Sequence, residues 1–233
     1  MSVNVSTIIP KRNFPPRVLE TEEIYYPDTD ESIMPEGILH FLLSVHLTST
    51  LLAFFANRSD VKVFGNVMLY YEPDIPQKFI SPDLMICFGL EKSPTSVYKL
   101  WETKVVPSVV IEFASETTWF NDVSNKLAIY QKLGVKEYYV YDVEYKYLPA
   151  PLMAYRLDNG VLTEIEVGNK RILSESLGLE LVDTGETLRF FNPETNEFLM
   201  TMEEIETIAE KTRRENTQLK AEIKKLKNQI KNQ

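Results

Sequence analysis

The feature that most constrains the fold is a short apolar run that contains a single carboxylate. Val109–Ala114 reads Val-Val-Ile-Glu-Phe-Ala, so Glu112 lies among side chains that favour a buried strand. Burying an ionised carboxylate without a partner is costly, and this position therefore requires a cation, a metal ion or a hydrogen-bond network. A second apolar run, Leu84–Phe88, directly follows Asp83. If the two strands are neighbours, both carboxylates converge at one end of a sheet.

Two carboxylates of this kind suit Mg²⁺ or Mn²⁺, which bind one or two protein carboxylates together with water and phosphate oxygens. A simpler interpretation is that Pro82-Asp83 forms a turn and that Glu112 makes a salt bridge at a strand end. Downstream, Asp122, Lys126 and Tyr130 follow at intervals of four, which places them on one face of a helix. Lys126 then lies within reach of the carboxylates, unless it forms only an ordinary helical pair with Asp122 worth about 0.2–0.5 kcal/mol.

The composition indicates an acidic globular chain. Of its 233 residues 44% are hydrophobic, which is enough for a core and excludes wholesale disorder. The net charge of −9 argues against a nucleic-acid coat or a protein that binds anionic membranes, since these are usually basic. The single Cys87 excludes an intramolecular disulfide and a Cys-rich zinc site, and His40 and His46 lack the i,i+4 spacing of helical zinc ligands. With no apolar leader and no apolar run of 18 residues, we expect a cytoplasmic protein without membrane contact.

The order of sequence patterns predicts an α/β (α+β) fold, a mixed β-sheet flanked by helices. Helices are expected at about 35–57 and 119–133, where Gly134 stops the second one. Strands are expected at 61–71 (with a turn at 65–66), 84–88, 109–114 and 137–143, a polar loop at 89–102, and a hairpin around 158–160 with short strands to about 198. We predict an N-terminal arm at 1–33 and one domain at 34–200.

The last segment, 201–233, lacks Gly and Pro and predicts one long helix. Two sets of residues recur every seven positions, as the d and a positions of a coiled coil do: Ile205, Thr212, Leu219 and Leu226, and Ala209, Asn216, Ile223 and Ile230. We therefore expect a coiled coil that makes a parallel homodimer, with a single solvated helix as the alternative. Residues 202–233 carry 8 basic and 6 acidic side chains, which leaves 17 and 28 for the rest of the chain, a net of −11.

A series of short motifs in a fixed order resembles a known family. The motifs are Pro82-Asp83, Glu112, Ser115-Glu116-Thr117, Asp122, Lys126, Tyr130 and Gly134-Val135-Lys136-Glu137-Tyr138-Tyr139, which continues to Asp142. Over about residues 27–188, the chain resembles the Uma-type restriction endonuclease family, a bacterial branch of the PD-(D/E)XK nuclease superfamily. The resemblance implies a restriction-endonuclease-like core and the hydrolysis of phosphodiester bonds.

The resemblance also implies a metal site. The metal-binding aspartate of the superfamily falls on Asp83 and its second acid on Glu112, and Phe113 would supply a backbone carbonyl to Mg²⁺ or Mn²⁺. The lysine expected two residues after the glutamate is Ala114 in this chain. The resemblance supplies a substitute, Lys126 on the following helix.

These observations predict a metal-dependent endonuclease that acts on DNA and is dimerised by its tail. Asp83 and Glu112 would hold the ion, and Lys126 would stabilise developing negative charge or orient the attacking water. Glu36 is the candidate for the acid that the superfamily often carries on its first helix. Two alternatives stay open. One is a catalytically lapsed nuclease fold that acts as a DNA-binding or protein-interaction module, and the other is a passive head on a coiled-coil adaptor.

Overall fold

The structure, a computed structural model, describes residues 25–26, 37–90 and 96–231. The helices are α1 (Ile38–Phe54), α2 (Leu100–Thr103), α3 (Trp119–Asn121), α4 (Leu127–Leu133) and α5 (Met202–Lys231), and a π-helical turn, Asp122–Lys126, joins α3 to α4. The strands are β1 (Val61–Gly65), β2 (Leu69–Tyr70), β3 (Phe79–Ile80), β4 (Leu84–Phe88), β5 (Tyr98–Lys99), β6 (Val109–Ala114), β7 (Glu137–Asp142), β8 (Leu152–Asp158), β9 (Val161–Ile165), β10 (Arg171–Ser174), β11 (Leu179–Asp183), β12 (Leu188–Asn192) and β13 (Glu197–Phe198).

A six-stranded mixed sheet in the order β1-β4-β6-β7-β8-β9 forms the centre of the fold. Strands β6 and β7 are parallel, and the other neighbouring pairs are antiparallel. A parallel pair needs a crossover connection, which α3, the π-helical turn and α4 provide. The pairing of β4 with β6 ends at Leu84 and Ile111, so these strands part just beside Asp83 and Glu112.

Helices cover both faces of this sheet. Helix α1 packs against one face through side chains four residues apart, Leu43, Leu47 and Leu51, in a core shared with the four-stranded sheet β10-β11-β12-β13. Tyr130 of α4 belongs to the core on the other face. Alternate residues of β6 point to opposite faces, so Phe113 faces α1 whereas Glu112 faces α4.

The predicted fold class is confirmed: mixed sheets are flanked by helices and followed by a C-terminal helix. The predicted strand at 61–71 divides at Gly65-Asn66, where Asn66 has a left-handed φ of 50°. A Cβ on Gly65 would lie 3.0 Å from Thr48 Oγ1, so any other residue here would require Thr48 of α1 to shift. The expected loop at 89–102 instead contains β5 and the start of α2, because β5 pairs with β2 in a three-stranded sheet β3-β2-β5. Most of the predicted arm at 1–33 lies outside the described residues.

A reciprocal cap begins the predicted C-terminal helix. The N–H of Thr201 donates to Glu204 Oε2 at 2.8 Å, and the N–H of Glu204 donates to Thr201 Oγ1 at 3.1 Å, which is a capping box. Arg189 of β12 holds the same carboxylate at 2.9 Å and anchors the helix to the domain. The helix is therefore as expected, while its pairing as a coiled coil stays a prediction. Among the described residues, no helix has the length and apolar character needed to cross a bilayer.

Candidate active site

The structure brings Asp83, Glu112 and Lys126 together where β4 and β6 part. Lys126 Nζ lies 3.0 Å from Glu112 Oε2, and the N–H of Asp83 donates to the same oxygen at 3.3 Å. Asp83 Oδ2 accepts the N–H of Phe113 at 2.7 Å. The side chain of Asp83 therefore bonds to β6 at the point where the backbone of β4 no longer pairs with it. In a strand, the N–H and C=O of one residue lie on the same edge. The carbonyl of Phe113 therefore faces the gap as well.

Lys126 reaches this gap from the π-helical turn. Its Nζ also lies 2.9 Å from Asp122 Oδ1, so the lysine bridges the sheet and its own helix. Lys126 therefore forms the helical pair with Asp122 and also reaches Glu112, so the two interpretations of the sequence pattern are both correct. One turn further, the hydroxyl of Tyr130 donates to Glu112 Oε1 at 2.5 Å. The two oxygens of Glu112 are thus held by one helical segment, whose π-helical turn is a feature often found at functional sites.

Sequence reasoning missed His40, which the structure places against Asp83. His40 Nε2 lies 3.0 Å from Asp83 Oδ1, and its ring packs edge-on against Phe113 with 5.4 Å between centroids. The sequence did contain an indication of this residue. His40 lies on the same helical face as the buried Leu47, so its polar ring must point into the protein and needs a partner there. Glu36, the acid expected on the first helix, lies outside the described residues.

Burial dominates the electrostatics of the site. Glu112 is 0% exposed, Asp122 is 1% exposed, and Asp83 is 7% exposed. Burial raises the pKa of Glu112 to about 8, the charges of Asp83 and Asp122 add to the rise, and Lys126 opposes it. Burial also raises the pKa of Asp122. Burial acts in the same direction on Asp83, but the close contact and charge of His40, helped by Lys126, hold the pKa of Asp83 below its usual value.

Lys126 is the cation of this network. Burial lowers its pKa, but the charges of Glu112, Asp122 and Asp83 outweigh burial and raise the pKa above that of an ordinary lysine. Burial and the charge of Glu112 raise the pKa of the Tyr130 hydroxyl well above its usual value, so this group acts as a donor. The network holds three acidic groups against one lysine and one histidine.

The chemistry of the donor set fits a hard divalent cation. Two carboxylates and one backbone carbonyl meet at the gap, and Mg²⁺ commonly takes one or two carboxylates and completes its shell with water. The excess of acidic over basic groups contributes to the raised pKa of Glu112, and it is the charge that such an ion would balance. Within the described segments, no group of three or more His, Cys, Asp or Glu side chains is arranged to hold an ion. Water and substrate oxygens would therefore have to complete the coordination.

Comparison with known proteins identifies the family. The profile of the Uma2 family, described as “Putative restriction endonuclease”, matches residues 19–185. A crystal structure from Anabaena variabilis, described as a “putative nuclease belonging to DUF820”, aligns with a TM-score of 0.46 and 12% sequence identity, covering 62% of this chain and 76% of that chain. Among curated proteins, none matches. The matched segment spans most of the chain and contains His40, Asp83, Glu112 and Lys126. The chain therefore belongs to the Uma2 restriction endonuclease family.

Proposed function

We propose that this protein is a metal-dependent endonuclease that hydrolyses phosphodiester bonds in DNA. Membership of the Uma2 family supports a restriction-endonuclease-like nuclease. The observation that carries the finer proposal is the convergence of Asp83, Glu112 and Lys126 on one gap between strands, from three different elements. A salt bridge at a strand end would explain one of these contacts but not the buried excess of acidic groups.

Each residue of the network has a role in this proposal. Asp83, Glu112 and the Phe113 carbonyl would hold Mg²⁺ or Mn²⁺. The bound ion supplies polarisation of a phosphate oxygen and a bound water of lowered pKa. Lys126, kept charged by its acidic neighbours, would stabilise the negative charge that develops on the phosphate or help orient the attacking water. His40 would keep Asp83 ionised and aimed at the gap.

The low exposure of the site favours a second candidate function. Glu112 and Asp122 are at most 1% exposed, and the side chain of Lys126 is 16% exposed. Both oxygens of Glu112 are engaged, one by Lys126 and one by Tyr130. A phosphodiester could reach Glu112 only if this network opened. A catalytically lapsed fold that retains the network for stability would bind DNA or a protein partner without cleaving it.

Nicking of supercoiled plasmid DNA in Mg²⁺, Mn²⁺ or EDTA separates the two candidates. The variants are Asp83→Asn, Glu112→Gln and Lys126→Met, and the matched control is Asp158→Asn, which changes an exposed carboxylate at the end of β8. We expect metal-dependent nicking by the wild type and the control, and losses of about 10²–10³-fold in each site variant. Nicking that persists in the Asp83 and Glu112 variants would refute the proposal. DNA binding by the wild type without nicking would favour the lapsed fold.

A further inference from the structure

Helix α1 carries no charged side chain. Its 17 residues include no Asp, Glu, Lys or Arg, although the helix lies at the surface of the domain. The side opposite the buried leucines presents large apolar side chains that are 50–78% exposed: Ile38, Phe41, Leu42, Val45 and Leu52. Their spacing of i, i+3, i+4, i+7 and i+14 places them on one stripe, here called the α1 outer face. A helix that is apolar on all sides is normally buried on all sides.

The α1 outer face is a large apolar patch for a protein surface. Taking roughly 180 Å² for a large side chain, the exposed fractions amount to about 500 Å². This lies in the upper part of the range of about 300–600 Å² for the largest apolar patch on a monomer, a patch that is often functional. One partner of a standard protein interface contributes about 800 Å². The α1 outer face therefore supplies more than half of one side of a stable interface before its rim is counted.

We propose that the α1 outer face packs against the same face of a second copy of this chain. The face offers no cation to the phosphates of a nucleic acid and no charge to a charged peptide, so its partner must be apolar. Each copy is acidic overall, with a net charge of −9, and two copies repel wherever their carboxylates approach. The uncharged α1 is a surface where they meet without this repulsion. A two-fold axis brings identical patches together, and such dimers are the commonest oligomers.

The position of α5 supports this choice of partner. Helices α1 and α5 contact each other, and the first turn of α5 lies on this side, where the charge of Glu204 acts on His46. Ile205 and Ile208, on the first two turns of α5, are 36% and 48% exposed. The apolar part of α5 therefore begins next to α1. Pairing of the tail with its copy would bring two α1 helices into one neighbourhood.

Thiol reactivity in the full-length chain tests which molecule covers the face. Val45→Cys places a thiol on the α1 outer face, and Val161→Cys is the matched control, because the two valines are 50% and 51% exposed. The native Cys87 gives little background, since burial raises the pKa of its thiol to about 11. At a protein concentration about ten times the dissociation constant, mass action leaves about one fifth of the chains monomeric. We expect maleimide to label the Val45→Cys variant about fivefold more slowly at this concentration than in dilute solution. The control should be labelled at the same rate at both concentrations.

Every other pattern overturns the proposal. Slow labelling of the Val45→Cys variant at concentrations where the chain sediments as a monomer would mean that the chain covers its own helix. Fast labelling at all concentrations would mean that the face is open to solvent. Sedimentation of the wild type, Val45→Glu and Val161→Glu gives a second measurement. We expect the dissociation constant of the dimer to rise at least about tenfold in Val45→Glu alone. A wild-type monomer, or a dimer that Val45→Glu leaves unchanged, would show that α1 is not the interface.

Discussion

Replacing Lys126 with methionine removes the ammonium group of the buried network while keeping a long side chain. The group lies 3.0 Å from Glu112 and 2.9 Å from Asp122, and its side chain is 16% exposed. Breaking a buried ion pair by removing one partner costs about 3–5 kcal/mol, because a charge stays buried without compensation. Partial exposure of the lysine reduces this figure, so we expect the free energy of unfolding to fall by about 3 kcal/mol at pH 9.

The loss should depend on pH, because Glu112 can avoid the uncompensated charge by taking up a proton. In the folded wild type its pKa is about 8, above the ordinary value of 4.5 that applies to the unfolded chain. The folded state therefore holds this proton more tightly, and the stability contributed by Glu112 falls as the pH rises from about 4.5 to 8. Without Lys126, the pKa of Glu112 rises further and the decline continues above pH 8. We expect the variant to lose only about 1 kcal/mol at pH 6.

Urea denaturation in EDTA, followed by circular dichroism at pH 6 and pH 9, measures both losses. Lys132→Met is the control, since Lys132 lies on the same helical segment, is 73% exposed and pairs with Glu72 at 3.2 Å. Such a surface pair contributes about 0–1 kcal/mol to the free energy of unfolding. Adding Glu112→Gln to Lys126→Met should recover part of the loss at pH 9, because the two sites are coupled. A loss that is equal at both pH values, or no larger than that of the control, would refute the reasoning.

Three further predictions concern single polar contacts. His40→Ala leaves Asp83 without its 3.0 Å partner, and the free energy of unfolding in urea should fall by about 1–3 kcal/mol; a loss below 0.5 kcal/mol would contradict an important contact. Tyr130→Phe deletes a hydrogen bond that lowers the pKa of Glu112, so a carbon NMR titration should place this pKa above its wild-type value of about 8, and an unmoved titration would count against the contact. Thr201→Ala removes the cap of α5 and should cost about 1 kcal/mol with faster amide exchange in its first turn; unchanged exchange there would show that the cap is dispensable.

Elements with a strong local signal were predictable from the sequence. The apolar runs 84–88 and 109–114 are strands β4 and β6, and the predicted break at 65–66 separates β1 from β2. Strand β5 was not predictable, because its two residues are held by pairing with β2, about 30 residues earlier in the chain. A two-residue strand carries no periodicity of its own, and a distant partner decides its conformation.

The same distinction holds in the candidate site. Asp83 and Glu112 were identifiable because each carboxylate borders or interrupts an apolar run, which is a local anomaly. His40 occupies a helical face with buried leucines, but a single histidine on such a face gives no indication of what it will contact. The contact with Asp83 follows from the crossing of α1 over the end of β4. Tyr130 likewise reads as an ordinary core residue until the structure shows its hydroxyl on Glu112.

The route of the lysine illustrates how tertiary structure can replace a local motif. Residues 112 and 114 share a face of β6, so a lysine at Ala114 would extend from the face that carries Glu112. The segment with Lys126 covers that same face, since Tyr130 and Lys126 both contact Glu112. An ammonium group can therefore approach Glu112 from the helix without a change in the strand. Ala114 is 2% exposed, and its small side chain suits this close packing.

The acidity of the chain has a different meaning once its location is known. In the described segments, six acidic residues are buried: Asp83, Glu112, Asp122, Glu137, Asp142 and Asp183. No lysine or arginine in the described segments is buried to the same degree. Without these six, 28 acidic residues face 25 basic ones, a difference of −3 instead of −9. The surface is therefore much closer to neutral than the composition implies, and three of the buried carboxylates lie in the network around Lys126.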